Sequence, residues 1–185
     1  MSDLFSFASS ASIDVSPSPL RSAIFSECRR WRYVLRIVWD VTKPLLVALM
    51  LNPSTADEIA NDPTVERLER RSRALGFGTL IVINLYAARA TDPRHLYRGV
   101  DPVGPGNDEA LSMVAAELRE RGGMLLCGWG AHGARVRLDR PRAVLSLFRG
   151  IVPHALSVNA DGSPQHPLYV AYECRPAPFT LGSRS

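Results

Sequence analysis

The chain predicts an α/β protein: a three-layer α/β/α sandwich on a mainly parallel central sheet, with about four parallel strands and an antiparallel edge strand. Three observations predict it. Charge-free aliphatic runs recur at 45–51, 79–83, 124–127 and 155–158, each of the length and character of a strand buried on both faces. Segments with helical spacing of apolar residues separate them. Strands alternating with helices imply right-handed crossovers, which place helices on both faces of one sheet.

The elements follow in order. Residues 1–22 are rich in Ser and Pro and read as a loose amino-terminal arm; residues 23–185 read as a single α/β domain. Residues 31–39 alternate between apolar and polar positions, as a half-exposed antiparallel strand does. A turn over 40–44 leads into the buried run at 45–51, and the two strands are expected to pair at the sheet edge. Asp62 is a good helix N-cap and Pro63 suits the first helical position. Val65, Leu68 and Leu75 then share one face, and Gly76 ends the helix. The run at 79–83 is the second buried strand. After a turn-rich loop, Asn107 or Asp108 caps a helix that stops at Gly122-Gly123. The run at 124–127 is the third buried strand, and the helical stretch after it is expected to break near Pro141. Residues 155–158 make the fourth strand.

Composition narrows the class. The chain has 185 residues, 46% hydrophobic and 22% charged, as expected of a soluble globular protein. Its net charge of +4 permits a phosphate-bearing partner without demanding one. Lys43 is the only lysine, so nearly all positive charge is arginine. Three cysteines without paired spacing point to reduced thiols and a cytoplasmic location. The amino terminus does not read as a secretory signal. No run approaches the ~20 apolar residues of a membrane span, so no membrane partner is expected. The four histidines show no metal-ligand spacing, and no cofactor signature is present; neither a metal nor a cofactor is expected.

Each parallel strand ends in polar or special residues. The first ends in Asn52-Pro53-Ser54, the second in Asn84 with Tyr86, Arg89 and Thr91 beyond, the third in Gly128-Trp129-Gly130, and the fourth in a loop holding Gln165-His166-Pro167. The carboxyl ends of parallel strands lie on one edge, where open α/β sheets bind ligands. Each residue also has a plainer reading. Asn52 ends a strand in an Asx-type turn or aims its amide into a crevice. Asn84 is a strand cap bonded to loop backbone or a site residue. Arg89 pairs with Asp62 or Asp92, or meets a phosphate. Trp129 is core, or stacks on a base.

Five segments in order carry a resemblance: LNPSTAD at 51–57, NDPTVERL at 61–68, INLYAARATDP at 83–93, CGWGAHG at 127–133 and QHPLYV at 165–170. They resemble a widespread family of uncharacterised bacterial proteins known as a domain of unknown function, number sixteen forty-three. The order of motifs is also similar to the mismatch-specific branch of the uracil-DNA glycosylase superfamily. That second resemblance implies a uracil-DNA-glycosylase-like fold. It implies that Asn52 positions an attacking water and that His166 contacts the base. Pro53, Ser54, Asn84, Tyr86, Arg89, Thr91 and Trp129 are then expected to bind substrate. Ser54 replaces a Gly of that pattern, and Leu168 replaces a Ser. The implied activity is cleavage of an N-glycosidic bond in DNA or a nucleotide, a hydrolase role linked to DNA repair. The alternative is a non-catalytic nucleotide or nucleic-acid binding module. Composition does not choose between polymer and free nucleotide.

Overall fold

The computed structural model describes residues 20–54, 56, 59–90, 92 and 101–182. Seven strands form one sheet: β1 Leu20–Phe25, β2 Arg32–Val38, β3 Leu45–Met50, β4 Thr79–Asn84, β5 Gly123–Cys127, β6 Pro153–Ala155 and β7 Ala177–Pro178. Their spatial order is β1-β2-β4-β3-β5-β6-β7. The four central strands, β4, β3, β5 and β6, run parallel. β1 and β2 on one side and β7 on the other are antiparallel. All six residues of β3 and all six of β4 are buried, which explains why these strands read as unbroken aliphatic runs.

Helices lie on both faces. α1, Pro63–Ala74, places Val65 and Leu68 against Leu46, Ala48, Leu80 and Val82. α2, Asn107–Arg121, and α4, Arg140–Leu147, bury Leu111, Val114 and Val144 on the opposite face, against Leu45, Val47, Ile81 and Ile83. The one-turn helix α3, Gly133–Val136, precedes α4. Alternation along each strand assigns side chains to these two cores: even-numbered residues of β3 and β4 meet α1, and odd-numbered ones meet α2 and α4.

Several expectations change. Leu20, Arg21 and Ser22, expected within the arm over 1–22, belong to β1, paired with Val38, Ile37 and Arg36; residues 1–19 of that expected arm lie outside the described residues. β2 is not the partner of β3. β4 stands between them, paired with β2 on one side and β3 on the other. The link over 39–44 spans two strand spacings, roughly 10 Å, well within reach of six residues. Gly78 makes this crossing fit, because a Cβ there would lie 1.9 Å from the Asp40 carbonyl oxygen. β2 is mostly buried rather than half-exposed, because β1 and β4 flank it. β6 begins at Pro153, two residues before the expected start. The helical stretch does break near Pro141: α3 ends at Val136, and α4 starts at Arg140 with Pro141 in its first turn. No described helix is long and apolar enough to cross a membrane.

Candidate functional site

The parallel strands appear in the order second, first, third, fourth. Between β3 and β5 the chain reverses its direction of travel across the sheet, and a crevice opens at the carboxyl ends of such strands. A hollow of about 640 Å³ lies there. Asn52, Ser54, Asn84, Trp129 and His166 border it, together with Arg32, Asp62 and Gln165. Thus the four strand ends do meet around one cavity.

Asn52 continues the alternation of Ala48 and Met50 onto the α1 face. Its side-chain Nδ2 donates to two backbone carbonyls, Ala90 O at 2.7 Å and Pro53 O at 3.0 Å. The Pro53 carbonyl also accepts from the Ala90 N–H. Pro53 is buried and serves this turn through its carbonyl. These bonds fix the amide orientation, so Oδ1 is left as an acceptor with no partner among the described residues.

Asn84 closes β4 beside Met50. It is 1% exposed, and neither Nδ2 nor Oδ1 has a hydrogen-bond partner among the described residues. Its side chain is therefore no cap for the loop backbone. An unpaired buried polar group costs about 1–3 kcal/mol, and this one carries an unused donor and an unused acceptor.

His166 arrives from the far end of the chain. Its Nδ1 accepts the Leu168 N–H at 3.3 Å, so the neutral ring carries its proton on Nε2. Burial holds its pKa below the ordinary histidine value, and the Asp62 carboxylate opposes that shift in part. Gly128 admits this loop, since a Cβ there would lie 2.7 Å from Pro167 Cδ. From the other side α1 grips the segment: Arg67 donates to the Pro167 and Val170 carbonyls. Buried Arg71 donates to the carbonyls of Val170, Ala171, Tyr172 and Cys174.

Trp129 borders the hollow with its side chain buried in the core, and Tyr86 and Arg89 are not part of the lining. The Trp129 side chain is 2% exposed, packed edge-on to Phe179 at a centroid distance of 6.0 Å. A Cβ at Gly133 would sit 2.2 Å from its Cδ1. The ring belongs to the α2-side core and has no free face for a base. Tyr86 is fully buried in that same core, and its hydroxyl donates to the Gly133 carbonyl at 2.9 Å. Arg89 lies over the Phe25 ring at 5.3 Å and is not among the residues that border the hollow. Thr91 lies outside the described residues.

Two charged residues of the hollow were not among the expected site residues, although Asp62 lies within the motif at 61–68. Arg32 is 2% exposed, and its Nη1 donates to the Ala56 carbonyl. Asp62 is 8% exposed and caps α1 by accepting the Val65 N–H at 2.9 Å. The sequence marked it as a helix cap, as a candidate partner of Arg89 and as part of the motif at 61–68; that a cap facing the strand ends also borders the cavity depends on how α1 docks. Among the described residues no cluster suited to a metal ion occurs.

Fold and hollow together define an α/β protein with a cavity of mixed polar and apolar lining at the carboxyl edge of its sheet. The chain matches, over residues 32–168, the family described as Protein of unknown function (DUF1643), and it belongs to that family. No curated protein and no solved structure gives a significant match.

Proposed function

We propose that the hollow receives a nucleobase and that the protein cleaves the N-glycosidic bond of that base, in DNA or a nucleotide, in the manner of a uracil-DNA glycosylase. One observation carries the reading: the Asn84 carboxamide is buried at the hollow with both its donor and its acceptor unused. A nucleobase edge offers an adjacent acceptor and donor, the pattern a carboxamide matches in two parallel hydrogen bonds. A volume of about 640 Å³ suits one base with its sugar.

The chemistry follows from the neighbours. As the C1′–N bond breaks, its electron pair moves to the base and positive charge grows on the sugar. Donors at the base and a fixed water on the far side of C1′ are needed. Asn52 Oδ1 is the acceptor that holds such a water, because Nδ2 is committed to backbone. His166 Nε2–H and Asn84 Nδ2–H donate to base oxygens as negative charge builds. The water oxygen bonds to C1′ and its proton ends on the departing base. Asn52 is a weak base, so acceleration comes from positioning and from the oriented donors. In duplex DNA the target base must leave the stack, which costs a few kcal/mol.

The test is incubation of the full chain with single- and double-stranded oligonucleotides carrying uracil, hypoxanthine or an alkylated base, with chromatography for free base. Release that disappears in Asn52→Ala while affinity stays near wild type supports cleavage. Saturable binding with intact substrate supports the non-catalytic binding module. Neither release nor binding with any substrate refutes the nucleobase reading.

A further inference from the structure

The hollow holds a negative charge that glycosidic cleavage as set out above leaves unused. Asp62 is 92% buried by its 8% exposure. Its Oδ1 accepts the Val65 N–H. Its Oδ2 has no partner among the described residues, and the side chain borders the cavity. Helix N-termini commonly hold phosphate, but at α1 the carboxylate already occupies that place. Arg32 is the one arginine or lysine among the described residues of the cavity wall, and its Nη1 is turned to the Ala56 carbonyl. A phosphate inside the hollow would face Asp62 at close range. A cation inside the hollow would instead meet the Asp62 Oδ2 atom as its counter-charge.

On the nucleobase reading, we infer that the base taken into this hollow is itself a cation, as N-alkylated purines are, with Asp62 Oδ2 as its counter-charge. The chemistry agrees. His166 is neutral and Asn52 is a weak base, so the cavity has no strong acid with which to protonate a leaving base. A base that is already positive needs none. When its C1′–N bond breaks, the electron pair returns to the ring nitrogen and the base departs neutral. The water held on Asn52 Oδ1 adds its oxygen to C1′ and releases one proton to solvent.

Calorimetric titration of the full chain with 1-methyladenosine, adenosine and adenosine monophosphate at neutral pH tests this. The cationic nucleoside is expected to bind about tenfold or more tightly than adenosine, a difference of about 1.4 kcal/mol, with the monophosphate weakest. Asn and Ser cap helices about as well as Asp. Asp62→Asn and Asp62→Ser are therefore expected to keep the melting temperature while bringing the two nucleosides within about twofold. Equal binding by the native chain, or a preference that survives both variants, overturns the inference and leaves the nucleobase reading standing. No binding of any of the three also overturns the inference, and the oligonucleotide experiment then decides the nucleobase reading separately.

Discussion

Asn84→Val is expected to make the protein more stable and unable to bind its ligand. The side chain ends β4 with 1% exposure and two unpaired polar atoms. Folding strips water from a carboxamide and returns no hydrogen bond, at a cost of about 1–3 kcal/mol. Valine suits a strand, adds only slightly to the volume, and extends the apolar wall of Met50 and Val82. The predicted gain is therefore about 1–3 kcal/mol, equivalent to roughly 2–4 °C in melting temperature per kcal/mol for a domain of this size. Urea unfolding with an unchanged slope reports it as a shift of midpoint. Nucleoside affinity measured on the same sample is expected to vanish. Such an exchange of stability for a binding group is usual at functional sites. A loss of more than about 1 kcal/mol would refute the reasoning, because it would show that the carboxamide has partners in the folded protein.

Other changes test how the site is held together. Gly128→Ala puts a Cβ 2.7 Å from Pro167 Cδ; overpacking of this kind costs about 1–3 kcal/mol, and ligand affinity should fall with stability because His166 moves with Pro167. Arg71→Ala removes hydrogen bonds to four carbonyls and is expected to cost about 2–4 kcal/mol, with hydrogen exchange accelerated first over residues 168–174. His166 has a folded pKa below its unfolded value of about 6.5. Its contribution is therefore present above that value and is lost as pH falls through the window down to the folded pKa; His166→Gln should flatten the stability profile there. Burial pushes the Cys127 thiol up, whereas Cys28 is exposed with its pKa lowered by the Ser26 hydroxyl, so limited alkylation followed by peptide mapping should label Cys28 and spare Cys127.

The central sheet was legible because burial on both faces leaves an unmistakable mark. β3, β4 and β5 are unbroken apolar runs, and polar residues appear where each run stops. The α1 start was legible from Asp62 and Pro63. The edges were harder. β1 alternates weakly and begins right after a Ser/Pro-rich segment, so its pairing with β2 left no local signal. The insertion of β4 between β2 and β3 is a long-range choice that a short link permits but does not dictate. In the site, alternation holds the key. Asn52 and Asn84 share the parity of Met50 and Val82 and so face α1. Trp129 shares the parity of Cys127 and Leu125, which face α2, so its burial was readable from period two alone. Tyr86 shares the parity of Asn84 yet lies in the opposite core. The chain leaves the strand at Asn84, where Leu85 and Tyr86 bond to the carbonyls of Met50 and Leu51, and alternation ends there.

The central claim is that Asn52, Asn84 and His166 contact one ligand in one hollow. Titration of the isotopically labelled protein with nucleoside, followed by NMR of its side-chain amides and imidazoles, tests this most directly. The Asn84 Nδ2 and His166 Nε2 signals should shift together on a single binding curve, while the Asn52 Nδ2 resonance, bound to backbone, moves little. Shifts confined to residues outside the hollow, or separate curves for Asn84 and His166, would contradict it.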